Sequence, residues 1–272
     1  MKAVRNETVK LNEACLKKVV RRLAGGMTAA LLIGSVTLLS GCNIGSWSFG
    51  DGRIEGNGNM VDSEYTLSDP GAITEIRLSN VSATVMLSAT ESDRITYSID
   101  DNLTRYLEIS DNNGVLSIDA NNDKMLGRNR RITFNIGVAS LEQLKIYGDV
   151  EIEGQGTFTT DQFTADISGA AEADMTIEAD DISIDIAGAA DFSLTGTTDT
   201  LEIDCDGAAS ISARYLIASD VSVNTNGASD IEVHAVNNLE ITGAGVGTVV
   251  YWGDPSLSRS VSGFSSITRG EE

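Results

Sequence analysis

One phrase recurs four times along this chain: ADISGAAEADM (Ala165–Met175), IDIAGAADFSL (Ile184–Leu194), IDCDGAASISA (Ile203–Ala213) and VNTNGASDIEV (Val223–Val233). Its glycines Gly169, Gly188, Gly207 and Gly227 stand 19, 19 and 20 residues apart. Each glycine is flanked by runs in which apolar residues alternate, for example Ile182, Ile184, Ile186 before Gly188 and Phe192, Leu194 after it. A period of two describes strands with one buried face. A unit of this length has a contour of about 60 Å, enough to go once round a small coil and return one strand spacing higher. A single such unit cannot bury its apolar face, whereas stacked units can.

The repeat therefore predicts an all-β parallel β-helix, or β-solenoid, with coils of about 19 residues, right-handed by analogy with parallel crossovers. Ile167, Ile186 and Cys205 should form one inward ladder. The turn glycines should stack in a column where a side chain either collides with the next coil or needs a left-handed backbone. The phase continues through LEITGAGVGTVVYWGDP and VSGFSSITRG, which adds Gly245 and Gly263 to the column. An antiparallel sandwich also yields many short strands, but it does not require the same residues at the same phase of a fixed period. Two prolines, 27 glycines and 5% aromatic residues suit short strands and tight turns.

The first 41 residues follow a different rule. Lys17, Lys18, Arg21 and Arg22 precede an uncharged run from Leu23 to Ser40 that ends in LLSGC. This has the form of a secretory signal. Leu39-Ser40-Gly41-Cys42 resembles the lipobox of bacterial lipoproteins, which implies that Cys42 is lipidated and becomes the first residue of the mature chain. The competing reading is an uncleaved signal anchor, for which the apolar run is short. Residues 42–58, with five glycines between Asn43 and Gly58, read as a tether, and 59–272 as one β-helix domain. Its coils are irregular to about residue 160 and regular over 163–270. The polar stretch NNDKMLGRNR (Asn121–Arg130) is the place where a separate N-terminal domain would end.

Charge narrows the partners. The whole chain has 19 Lys plus Arg and 40 Asp plus Glu, and removing residues 1–41 takes away seven basic and two acidic side chains. The mature net charge is then 12 − 38 = −26. Such a surface repels nucleic acid and anionic headgroups, so nucleic acid is excluded as a partner. The membrane would be reached only through the lipid on Cys42. Cys205 has no remaining partner for a disulfide and falls on the inward phase of LEIDCDG, as a small buried apolar residue.

The repeated Gly-small-small turns, Tyr251-x-Gly253-x-Pro255 and a closing Ser-Gly phrase together resemble the head GIN domain family of autotransporter adhesins, over roughly Gly58 to Gly270. That resemblance implies a β-helix and an adhesive role. This chain writes Gly-Ala-Ala where the family commonly has Gly-Ser-Gly, a sterically mild change that removes the family's serines from the turn.

Catalytic constellations are scarce. The one histidine, His234, stands at the outward phase of IEVHAV, and no nucleophile elbow, phosphate loop, zinc spacing or calcium nonapeptide occurs. Polysaccharide-cleaving β-helices bind polyanions with basic side chains, and between Lys145 and Arg259 this chain has only Arg214. Neutral glycans cleaved by paired carboxylates remain the enzymatic alternative. Acids recur three residues before the turn glycines, at Asp166, Asp185 and Asp204, and three residues after them, at Glu172, Asp191 and Asp230. Stacked, they would form ladders that a hard cation such as Ca²⁺ could bridge. The plainer reading is outward polar positions on an acidic protein.

These observations lead to a non-enzymatic, cofactor-free envelope lipoprotein whose β-helix is a binding or adhesion surface for a protein or glycan. A purely structural spacer is the third class. Asn43, rather than aspartate, after the lipidated cysteine favours the outer membrane in a Gram-negative host, by resemblance to the bacterial sorting pattern.

Overall fold

The computed structural model describes residues 55–120, 131–263 and 266–271. Cys42 with the run before it, and the stretch 121–130, lie outside the described residues. The described chain is almost entirely extended, as its alternating apolar residues dictate. Five long strands each carry the chain through most of a coil: β7 (Gln143–Ile167), β8 (Ala170–Ile186), β9 (Ala189–Cys205), β10 (Ala208–Thr225) and β11 (Ala228–Gly243). Each pairs in parallel with the next. β12 (Val246–Trp252) and β13 (Ser256–Val261) cover the two halves of β11, and β14 (Ser266–Arg269) continues on β12. The result is a β-solenoid of about six turns. Parallel stacking of equivalent positions excludes the sandwich.

The core consists of columns. Ile167 pairs with Ile186 and Ile186 with Cys205, and all three are buried, so the inward ladder forms as the repeat predicts. On the opposite inner wall Ile152, Ala173, Phe192, Ile211, Ile231 and Val249 follow one another in register. The small Ala173 lies next to the large Phe192, which keeps the volume of the layer nearly constant. The Ile-Cys ladder ends in Thr225, fully buried, whose hydroxyl lies 2.8 Å from that of Ser229, so the one polar step in this column is satisfied internally.

The turn glycines also stack, and the structure selects between the two reasons for them. Gly169, Gly188, Gly207, Gly227 and Gly245 do not have positive φ. A Cβ at Gly188 would instead overlap the carbonyl oxygen of Gly169, and one at Gly207 that of Gly188, with the same relation along the column. Gly148 extends this column one coil earlier, against Val81. Gly263 differs: its φ is +84° and its nearest clash is 3.0 Å from the Gly245 oxygen.

The earlier third departs from a steady climb. β1 (Met60–Thr66), β2 (Glu75–Ser88), β3 (Arg94–Asp100), β4 (Glu108–Asn112), β5 (Val115–Asp119) and β6 (Ile132–Gly137) belong to the same sheet. β2 is a complete coil, parallel to β7 along both halves. Its other side is covered by β5 and β6, which come later in sequence, so β2 is sandwiched between segments that follow it. The pairs β1–β3, β3–β6 and β4–β5 are antiparallel, which a reading of plain coils does not anticipate. β4 and β5 meet at Asn113-Gly114, both with positive φ, a two-residue hairpin turn. These antiparallel strands cap the stack, and a solenoid needs such a cap because an uncovered coil presents a row of unpaired backbone groups.

Candidate binding surface

Where the coils pair in register, the outer surface consists of side chains in columns. The first acid column is real: Asp166 pairs with Asp185 and Asp185 with Asp204. It then stops, because Asn224 follows and donates its amide to the Asp204 carboxylate at 2.7 Å. Partial desolvation on this outer face, and then the charges of Asp204 and Asp166, hold the Asp185 carboxyl above the ordinary aspartate range. In the second column Glu172 pairs with Asp191, but Ser210 separates Asp191 from Asp230. Asp230 accepts hydrogen bonds from the Thr248 hydroxyl and N–H. The carboxylates thus lie in line, one per coil, and among the described residues no group of three or more His, Cys, Asp or Glu is placed to hold a metal ion. Cys205 is buried, and burial pushes its thiol above the ordinary value, as fits a packing residue.

A different site emerges where the repeat breaks its period. The 20-residue spacing between Gly207 and Gly227 has a local cause: β10 matches β9 at Ser212↔Ser193 and again at Tyr215↔Thr195, one residue out of step. On its other side β10 matches β11 at Ala213↔Val233 and then at Ile217↔His234, so Arg214, Tyr215 and Leu216 have no partners in the next coil. Bulges of this kind turn side chains away from the regular surface. Leu216 remains in the core, while Tyr215 is 68% exposed and Ile217 is 47% exposed.

The bulge forms one wall of a pocket of about 600 Å³ lined by Arg214, Tyr215, Ile217, His234, Trp252, Gly253, Arg269 and Gly270. The Arg214 guanidinium lies 4.6 Å from the Trp252 ring centre and 5.5 Å from that of Tyr215, a cation held against two aromatic rings. No ion pair to Arg214 occurs among the described residues, whereas Arg269 reaches Asp254 at 3.2 Å. The Trp252 indole N–H is buried without an acceptor among the described residues, beneath Gly270, where any side chain would overlap the ring. His234 is half-buried, its ring against Gly253. Sequence reading singled out Arg214 only for its isolation and His234 only as an outward residue; the extra residue in the third spacing was the signal that marked the site.

Beside the pocket runs a trough of about 730 Å³ along a corner of the coils, lined by Thr159, Thr160, Asp161, Glu178, Asp180, Thr197, Thr198 and Asp199 and ending at Ile217 and Ser219. Ile217 borders both cavities. One in-register column joins them: Thr159, Glu178, Thr197, Ile217, His234, Trp252. At about 4.8 Å per coil its five steps span about 24 Å. The Thr198 hydroxyl is spent on the Asp180 and Thr200 carbonyls, but the outward Thr159 and Thr197 hydroxyls and the carboxylates of Glu142, Asp161, Glu178, Asp180 and Asp199 line an open, polar floor.

Comparison with known proteins agrees with this architecture. The family described as "putative auto-transporter adhesin, head GIN domain" matches residues 72–255. A solved structure of a putative adhesin from Bacteroides fragilis superposes with a TM-score of 0.73 at 19% identity, covering 80% of this chain and 100% of that one. A putative adhesin from Parabacteroides merdae gives 0.60 at 17% identity, covering 80% and 99%. A putative lipid binding protein from Parabacteroides distasonis gives 0.51 at 23%, covering 80% and 100%. No curated protein matches the sequence.

Proposed function

We propose, from the premise that this chain belongs to the head GIN domain family, that it is a lipid-anchored envelope protein whose solenoid is a non-catalytic binding surface. The observation that carries the reading is the continuous outer column from Thr159 to Trp252. It places hydroxyl, carboxylate, aliphatic, imidazole and indole groups in fixed order, with the Arg214 guanidinium beside Trp252, on strands held in the coil ladder. Such a surface is preorganised for an extended ligand and loses little freedom on binding it. The anchor rests on the Leu39–Cys42 motif and the charge pattern before it, and the outer membrane on Asn43.

One observation favours a second reading. Asp166, Asp185 and Asp204 stand one strand spacing apart, about 4.8 Å, close to the separation of carboxylates in retaining glycosidases, and Asp185 is shifted toward the protonated form. They line neither the trough nor the pocket, so no cavity described above would hold a sugar ring against them.

Two measurements test the proposal. Cys42→Ser should abolish metabolic lipid labelling and release the protein from membranes; unchanged labelling and partition would overturn the anchor. The full chain incubated with a glycan panel should retain a ligand and leave it intact. Products that disappear in Asp185→Asn would replace binding with hydrolysis, and failure to retain any glycan or envelope protein would leave a spacer.

A further inference from the structure

We propose that the pocket at the β10 bulge, together with the trough beside it, binds an oligosaccharide that carries a single carboxylate at one end. The inference rests on the binding-surface reading above and names its ligand class.

The charged end follows from Arg214. It is the only Lys or Arg between Lys145 and Arg259, in a chain of formal charge −21, and the register break between Ser212 and Tyr215 places it on the pocket wall. The guanidinium carbon lies over the rings of Trp252 and Tyr215. The guanidinium makes no ion pair among the described residues, and a carboxylate matches its planar fork with two parallel hydrogen bonds. Arg269 on the same pocket lining adds positive charge, tempered by Asp254.

The rest of the ligand follows from the neighbouring surface. Tyr215 and Ile217 offer exposed apolar area next to the cation, suited to the C–H face of a pyranose ring. Beyond Ile217 the trough offers threonine hydroxyls and the carboxylates Asp161, Glu178, Asp180 and Asp199. Carboxylates accept hydrogen bonds from sugar hydroxyls but repel further negative charge. Neutral sugars are therefore favoured along the trough, and a uronate in every residue is not. A peptide fits less well. It would seek main-chain partners, and along the trough the backbone groups of β8 and β9 are spent on the parallel ladder.

The test is calorimetric titration of the full-length protein in detergent with sialyllactose, lactose, polygalacturonate and a short peptide with a free C-terminal carboxylate. Sialyllactose should bind, with lactose weaker by about tenfold or more and polygalacturonate not retained. Arg214→Gln should lower sialyllactose affinity by about tenfold, Arg214→Lys by less, and Tyr215→Ala by a few fold, each with an unchanged circular dichroism spectrum. The aromatic variant serves as a second reading if Arg214→Gln perturbs folding. Equal affinity for lactose and sialyllactose, preference for the polyuronate or the peptide, or indifference to both substitutions would overturn the site. Binding of a neutral glycan unaffected by Arg214→Gln would sink this inference while leaving the binding-surface reading intact; the absence of any retained ligand would remove both.

Discussion

Gly188 shows how a single residue type sets the repeat. Its backbone lies in a region open to any L-residue, yet a Cβ there would overlap the Gly169 carbonyl of the coil below. The constraint comes from close approach of coils, so even alanine is excluded, and β-branching is not the issue. Gly188→Ala should lower stability by about 2–4 kcal/mol, the range for steric conflict that the surrounding core cannot relieve. Gly263→Ala should cost less, about 1 kcal/mol, since its neighbour is 3.0 Å away and the cost is mainly that of a left-handed backbone. Chemical denaturation of the two variants checks this, and equal losses would mean that coil contact does not govern the glycine column.

At the scale of elements, the informative contrast is between β9, which keeps register with β8 throughout, and β10, which breaks it. In a strand whose inner face is buried, one residue more or less moves every later side chain to the wrong side unless a bulge absorbs it. Deleting Arg214 would restore the 19-residue period at a place where the chain already bulges. Deleting Ser193 from the equivalent coil of β9 would drive Leu194 out of the core and Thr195 into it. The expected outcome is a folded Arg214 deletion with a loss of no more than about 1–2 kcal/mol and a Ser193 deletion that loses several kcal/mol or fails to fold. Comparable melts for both would show that the solenoid tolerates slippage anywhere. The cap obeys different rules: Asp111, in β4, is drawn upward by burial but held below its ordinary range by hydrogen bonds from the Tyr65 hydroxyl and the Ser68 N–H, which pin β1 to the β4–β5 hairpin.

Across the whole molecule the stacked acids oppose the stacking that hydrophobic burial drives. Asp185 carries the clearest mark. Its folded-state pKa is raised, so its stabilising contribution is full below the ordinary aspartate pKa and is lost as pH rises through the raised value. Asp185→Asn should therefore melt higher than the parent at neutral pH, with the difference shrinking on acidification toward pH 4. Added sodium chloride should shrink it too, by screening the Asp166 and Asp204 charges across this exposed face. Calcium at matched ionic strength should add nothing further, because the carboxylates stand in line and do not converge. A calcium-specific rise in melting temperature that Asp185→Asn removes would reverse that reading.

The fixed glycine spacing and the alternation around it determined the coil, its parallel pairing, the inward Ile167–Ile186–Cys205 ladder and the membership of Asp166, Asp185 and Asp204 in one column. These are consequences of period alone: equal spacing places equal residues one above another. Three things were decided only in the folded chain. β2 lies between β7 and the later β5 and β6, and the antiparallel cap around it has no period to reveal it, because its pairings join segments far apart in sequence. The reason for the turn glycines required knowing how near the next coil's carbonyl comes. The pocket joins residues from three successive coils and the last strand, Arg214, His234, Trp252 and Arg269. In sequence it left its trace in the glycine spacing, 20 from Gly207 to Gly227 and 18 from Gly227 to Gly245 instead of 19, since a bulge registers as a count while the direction in which it turns a side chain is settled by packing against its neighbours.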